Sequence, residues 1–287
     1  MLRALLVVAL AFVSSTAHAG QACTEKRLSP AEVRAALTLA FDVTRALDGA
    51  GAHVAIVARA GRDLSRYGLR YSHIALAWRD HPRGAWTMVE ELPRCGSADS
   101  ALFDDGLGDF FLDDMFAYEA AIVVPSPEGQ RRIGALLAAH AGGRLHEPRY
   151  NLVAYPWSTR YQNSNQWVLE TIAAAWSDRP VQDRAQAQAW LRNEGFRPAT
   201  IHLTPIERLG SELTRANVAF DDHPLDRRMA GQIDVVTAES VLDFVRRIDP
   251  GASALVVSVD TPIAQAPRRA YDATPREPGR YEQGRTR

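Results

Sequence analysis

A histidine, an acid and a hydroxyl stand where they could form one hydrolytic constellation. His73 opens the apolar run Ser72-His73-Ile74-Ala75-Leu76-Ala77-Trp78, Glu90 lies in the next such run, and Ser164 lies in Asn163-Ser164-Asn165-Gln166-Trp167-Val168. A hydroxyl becomes a working nucleophile when an imidazole takes its proton and a third polar group orients that imidazole. A helix N-terminus under the nucleophile adds a further aid, because the positive end of the helix dipole favours an anion. The chemistry would be attack on the carbonyl of an amide or ester. Two adjacent acids compete for the third role, and neighbours on one strand point to opposite faces. Glu90 shares parity with Met88 and Leu92 and is the expected partner of His73, with a solvated or salt-bridged role open for both acids. The structural alternative makes Ser164 a helix-start or binding-site hydroxyl and His73 a satisfied histidine.

Other polar and aromatic residues gather near Ser164. Asn163, Asn165 and Gln166, with Gln162, are poor core residues unless hydrogen-bonded, so they suggest a polar site wall or a cap network. Tyr71, Trp157 and Tyr161 are candidate substrate-contacting residues, and with Tyr155 and Trp167 the aromatic cluster could instead be core. Asp221-Asp222-His223 has metal-binding chemistry, but no second cluster at ligand spacing accompanies it, so capping and turn formation before Pro224 are expected and no metal is assigned. His146-Glu147-Pro148-Arg149 reads as a loop salt bridge or a cleft edge. No cofactor is expected.

The elements that must position these residues follow from caps and periodicity. Ser29-Pro30-Ala31-Glu32 is a capping box with proline at the first helical position, predicting a helix to about Leu47. Strands are expected at Val54–Ala58, Tyr71–Trp78, Ala85–Leu92 and Glu119–Val124, the second and third joined by Asp80-His81-Pro82-Arg83-Gly84 as a hairpin. A helix spans Glu128–Ala141, residues 148–161 are irregular, and Trp167, Val168, Ile172, Ala175 and Trp176 mark one face of a helix beginning at Asn163. Beyond Pro180 the expected elements are helices at Gln182–Asn193, Pro205–Ala216 and Glu239–Ile248 and strands at Ile233–Val236 and Ala254–Val259.

Over roughly Tyr71 to Trp176 this order resembles the circularly permuted branch of the NlpC-type, papain-like superfamily, which includes lecithin retinol acyltransferase-like proteins. There a histidine begins one strand, a polar residue follows on the next, and an Asn-Cys-Glu-x-aromatic-Val motif opens the helix. The resemblance implies His73 as base, Glu90 as the third polar group and Ser164 in the cysteine position. A hydroxyl is not ionised near neutral pH as a thiol can be, so the serine depends more on its base and on an oxyanion site. Tyr150-Asn151, the segment Tyr161 to Glu170, and Arg215 to Pro224 also resemble an uncharacterised bacterial family, domain of unknown function 2145, over almost the whole mature chain. The implied fold class is α+β: a permuted papain-like module, with an antiparallel sheet and packed helices, over residues 20–180, a C-terminal α/β extension over 181–260, and a disordered tail over 261–287. The expected function is an exported amidase, peptidase or acyl-transfer enzyme, or a ligand- or cell-wall-binding module that keeps the cleft without turnover.

Export is read from the N-terminus. Arg3 precedes the apolar stretch Ala4–Val13, and Ala17-His18-Ala19 is a signal-peptidase pattern, so residues 1–19 are expected to be a cleaved signal peptide of a periplasmic or extracellular protein. Lipidation at Cys23 would want a leucine three residues earlier, where Gly20 stands. In an oxidising compartment Cys23 and Cys95, the two cysteines of the chain, are expected to pair, with two buried thiols as the alternative. The formal net charge of −1 argues against a nucleic-acid partner, leaving peptidoglycan, peptide or lipid as the partner classes. Its 287 residues, 46% hydrophobic, suffice for one sizeable core.

Overall fold

The computed structural model of the protein describes residues 27–113 and 115–259. The signal-peptide residues, Cys23 and the tail from Asp260 onward therefore lie outside the described residues, and so does the Cys23 end of the expected disulfide. Cys95 lies between the third and fourth strands.

Chain order is α1 (Pro30–Gly49), β1 (Val54–Arg59), β2 (His73–Trp78), β3 (Thr87–Pro93), β4 (Ser100–Gly106), α2 (Leu107–Phe111), β5 (Glu119–Val124), α3 (Pro127–Ala138), α4 (Ser164–Trp176), α5 (Arg184–Asn193), β6 (Ala199–His202), α6 (Pro205–Thr214), α7 (Leu225–Met229), β7 (Gln232–Val235), α8 (Ala238–Ile248) and β8 (Ser253–Ser258). The α1 capping box forms as its sequence dictates, with the Ser29 hydroxyl and the Glu32 carboxylate each accepting the other residue's backbone N–H. The class is α+β, built on an antiparallel six-stranded sheet in the order β4-β3-β2-β1-β5-β8, with β6 and β7 as a separate pair.

The sheet has a core on each face. Alternate residues of β1 and β2, among them Ala55, Val57, Ala75 and Ala77, face α1 and α2. Their neighbours, Ile56, Ala58, Ile74 and Leu76, face a larger core with Trp167, Val168 and Ile172 of α4 and Val241, Leu242 and Val245 of α8. Near-continuous apolar strands are what burial on both faces requires. β8, from the segment expected to be an extension, pairs with β5 along its whole length.

One departure from regular pairing creates room for the site. β2 pairs with β3 over Leu76–Trp78 against Thr87–Val89, while His73–Ala75 continue against β1 alone and Glu90–Pro93 against β4 alone. The start of α4 is seated at this divergence, where Asn165 Oδ1 accepts the Ile74 N–H at 3.1 Å. A side-chain amide thus satisfies a backbone donor that β3 does not reach.

Candidate active site

The divergence brings His73, Glu90 and Ser164 together. His73 Nδ1 lies 3.0 Å from Ser164 Oγ, and His73 Nε2 contacts Glu90 Oε2. In the tautomer that carries its proton on Nε2, the ring donates to Glu90 and Nδ1 accepts the serine hydroxyl. The ring is used in the opposite sense from the serine-protease template, where Nε2 serves the nucleophile. Phe110 of α2 lies against the His73 ring at 5.8 Å between centroids, and Arg59, the cross-strand partner of His73, stacks its guanidinium 4.7 Å from the Phe110 centroid. All three triad side chains are buried, Ser164 being 5% exposed.

Ser164 is the first residue of α4. Asn163 caps the helix, its Oδ1 accepting the Gln166 N–H at 2.8 Å, and its Nδ2 donates to Leu152 at 3.4 Å. Asn165 anchors β2 as described. Gln166 turns inward, donating from Nε2 to Pro156 O at 3.3 Å and to Glu170 Oε1 at 3.2 Å. Of the expected polar wall, Asn163 and Asn165 therefore flank Ser164 and Gln166 belongs to the support beneath it.

That support is a buried ion pair. Glu170 receives Arg184 through Nε at 2.7 Å and through Nη2 at 3.2 Å, and the amides of Gln162 at 2.6 Å and Gln188 at 2.8 Å. Burial pushes the Glu170 carboxyl up, and Arg184 opposes that shift. Arg184 also donates to the carbonyls of Thr159 and Ser158, so the pair pins the irregular segment ahead of α4.

Tyr150, quoted above only as part of a family resemblance, is the residue that reading by type missed. Its backbone is held on both sides, donating to Ala98 O at 2.6 Å and bridging to Gln162. Its phenol lies near Ser164, whose hydroxyl and backbone amide favour its ionised form against the effect of burial. Burial first, then the nearby Glu91 carboxyl, pushes the phenol's ionisation to higher pH, so it keeps its proton. The available signal was a tyrosine in an otherwise polar, irregular stretch.

The remaining sequence candidates have other neighbours. Tyr71 donates to Glu119 Oε1 at 2.9 Å. Trp157 packs edge-on against Phe196 and carries the Arg192 guanidinium 4.7 Å above its ring. Tyr161 lies under Arg160, whose guanidinium pairs with Asp221 at 2.7 Å. Asp222 accepts the Tyr155 N–H at 2.9 Å and contacts His223 Nδ1 at 3.0 Å, and the other ring nitrogen reaches Asp234 O at 3.0 Å, which makes this pair a turn lock.

A scan against family models matches residues 46–245 to uncharacterised proteins conserved in bacteria, domain of unknown function 2145. The chain belongs to this family. The matched span of the DUF2145 model holds the triad, Tyr150 and the Glu170–Arg184 pair. Comparison with curated proteins and with solved structures yields no match. Among the described residues no helix is long and apolar enough to cross a membrane.

Proposed function

We propose that this DUF2145 protein is an exported hydrolase or acyl-transfer enzyme of the bacterial envelope, with a permuted papain-like arrangement in which serine replaces cysteine. The observation that carries the reading is the continuous Glu90–His73–Ser164 hydrogen-bond chain ending at the first residue of a thirteen-residue helix. The order histidine on β2, acid on β3 and nucleophile on a later helix supports the permuted topology. Export rests on the N-terminal pattern of residues 1–19.

In the reaction, Ser164 Oγ gives its proton to His73 Nδ1 as it bonds to the carbonyl carbon of an amide or ester, and the carbonyl π electrons move onto oxygen. Glu90 holds the ring and stabilises the imidazolium. The oxyanion forms beside the α4 N-terminus, where the positive end of the helix dipole favours it. Collapse expels the amine or alkoxide, which takes the proton from Nδ1. Water or an acceptor alcohol or amine then enters by the same steps reversed and releases the acyl group.

The test is reaction of the purified full chain with a fluorophosphonate probe and with short acyl esters. Labelling and turnover are expected in the wild type, loss of both in Ser164→Ala, and thiol-dependent turnover in Ser164→Cys. A second reading, a cleft that binds without turnover, is favoured by the burial of the whole triad. An unlabelled, folded wild type whose Ser164→Ala variant loses only stability would establish it.

A further inference from the structure

β2 lacks a strand partner at the point where the site needs one. Its pairing with β3 ends at Leu76, so the buried Ile74 carries an N–H that β3 does not reach. By then β3 has turned to β4: Glu90 pairs with Phe103, and the buried Glu91 accepts the Ser100 hydroxyl at 2.6 Å. Asn165 takes the place of the strand, its Oδ1 accepting the Ile74 N–H at 3.1 Å. A donor on Ile74 fixes which way the amide lies, oxygen toward β2 and Nδ2 away from it.

This bond has a twin one residue back on both segments. His73 and Ile74 are consecutive, and so are Ser164 and Asn165. The 3.0 Å contact of His73 Nδ1 with Ser164 Oγ and the 3.1 Å bond of Ile74 to Asn165 therefore close one small ring between β2 and α4. Around that ring the contact is apolar, with Ile74, Leu76, Trp167 and Val168 in one core. Apolar contact is non-directional and does not by itself fix the register of a helix on a strand, whereas a hydrogen bond weakens steeply away from its preferred length and angle.

We infer that Asn165 is the positioning residue of the site: it stands in for the strand partner that Ile74 lacks and thereby holds the Ser164 hydroxyl at bonding distance from His73 Nδ1. The inference rests on the hydrolase reading above for its effect on rate, and on the two hydrogen bonds for its effect on geometry. It takes Asn165 out of the substrate-contacting wall expected from the sequence. Glu90 contacts the far nitrogen of the same ring, so the imidazole is gripped from β3 while α4 presents the hydroxyl. Proton transfer needs the two groups within about 2.6–3.2 Å, and a misplacement of about 1 Å costs about a hundredfold in rate.

The experiment compares Asn165→Ser and Asn165→Asp with the wild-type full chain, by kcat and KM on p-nitrophenyl acetate and by NMR of the Ile74 amide and the His73 ring nitrogens. Asn165→Ser is too short to reach Ile74 and leaves room for a water, which keeps the amide satisfied and the fold intact. Its kcat is expected to fall about a hundredfold with KM within about twofold, as for a loss felt in the transition state. Its Ile74 amide should exchange faster, and its His73 ring should show both tautomers in place of one. Asn165→Asp keeps an acceptor oxygen at the same reach, so the slow amide and the single tautomer should return. An unchanged kcat in Asn165→Ser overturns the proposal, and a raised KM with kcat unchanged does so by making Asn165 a substrate contact. An Asn165→Asp variant whose amide and ring behave like those of Asn165→Ser also overturns it. A wild type without turnover sinks the hydrolase reading, and the NMR signals then decide the clamp alone: both tautomers in Asn165→Ser uphold it and a single one refutes it.

Discussion

Replacing Glu91 by glutamine should change how stability depends on pH, and the size of that change can be worked out. In the unfolded chain Glu91 titrates near 4.5, and in the folded protein near 8. Between those values the folded state holds a proton that the unfolded state has released, so wild-type stability falls with rising pH by about 1.4 kcal/mol per unit from this group. The contribution is complete below about pH 4.5 and is lost as pH climbs through about 8. From pH 5.5 to 7.5 the loss is about 2.5 kcal/mol, and Glu91→Gln does not suffer it. Any fixed cost of burying the amide cancels, because the quantity compared is the variant-minus-wild-type difference at the two pH values. Urea denaturation at pH 5.5 and 7.5 measures it, with the variant gaining on the wild type at the higher pH. Parallel pH dependence within about 0.5 kcal/mol would refute the reasoning, because an ordinary exposed glutamate is already ionised in both states.

Three further outcomes are expected. Arg184→Met strands the Glu170 carboxyl among amides and should cost about 3–5 kcal/mol in urea denaturation, with Arg184→Met/Glu170→Met recovering much of it. Asn163→Ala removes the α4 cap and should cost about 1 kcal/mol, with a larger relative fall in probe labelling at Ser164 than that loss of stability explains. Trp167→Ala empties a fully buried site beside the carbonyl of Gly142, to which the indole donates at 3.1 Å, and should cost about 3–5 kcal/mol by thermal or chemical melts.

Much of the fold was legible because local rules and global packing agree. The capping box at Ser29 marks α1 directly, and the helix expected from Asn163 is α4, which Asn163 caps. The short apolar runs of β1, β2 and β5, bounded by turn residues, read as buried strands by length. β4 was not expected: Ser100–Gly106 carries a short apolar run, Ala101–Phe103, followed by two acids, and its long pairing with β3 makes it a strand. β6 and α7 were missed for the same reason, each being short and dependent on a neighbour, β6 on β7 and α7 on the turn lock at His223.

The sequence by itself determined which residues could do chemistry here. His73, Glu90 and Ser164 were identifiable from type, strand parity and helix-start position, because each of those signals is local. The tertiary structure alone decided what surrounds them. Backbone bonds to Ala98 and Gln162 hold the Tyr150 segment near Ser164, and Arg184 meets Glu170 across two helices. The fate of Glu91 was also beyond local reading, since a carboxyl's charge depends on burial and on whether a cation is free to face it. Those are properties of packing between segments far apart in the chain, and no spacing rule carries them.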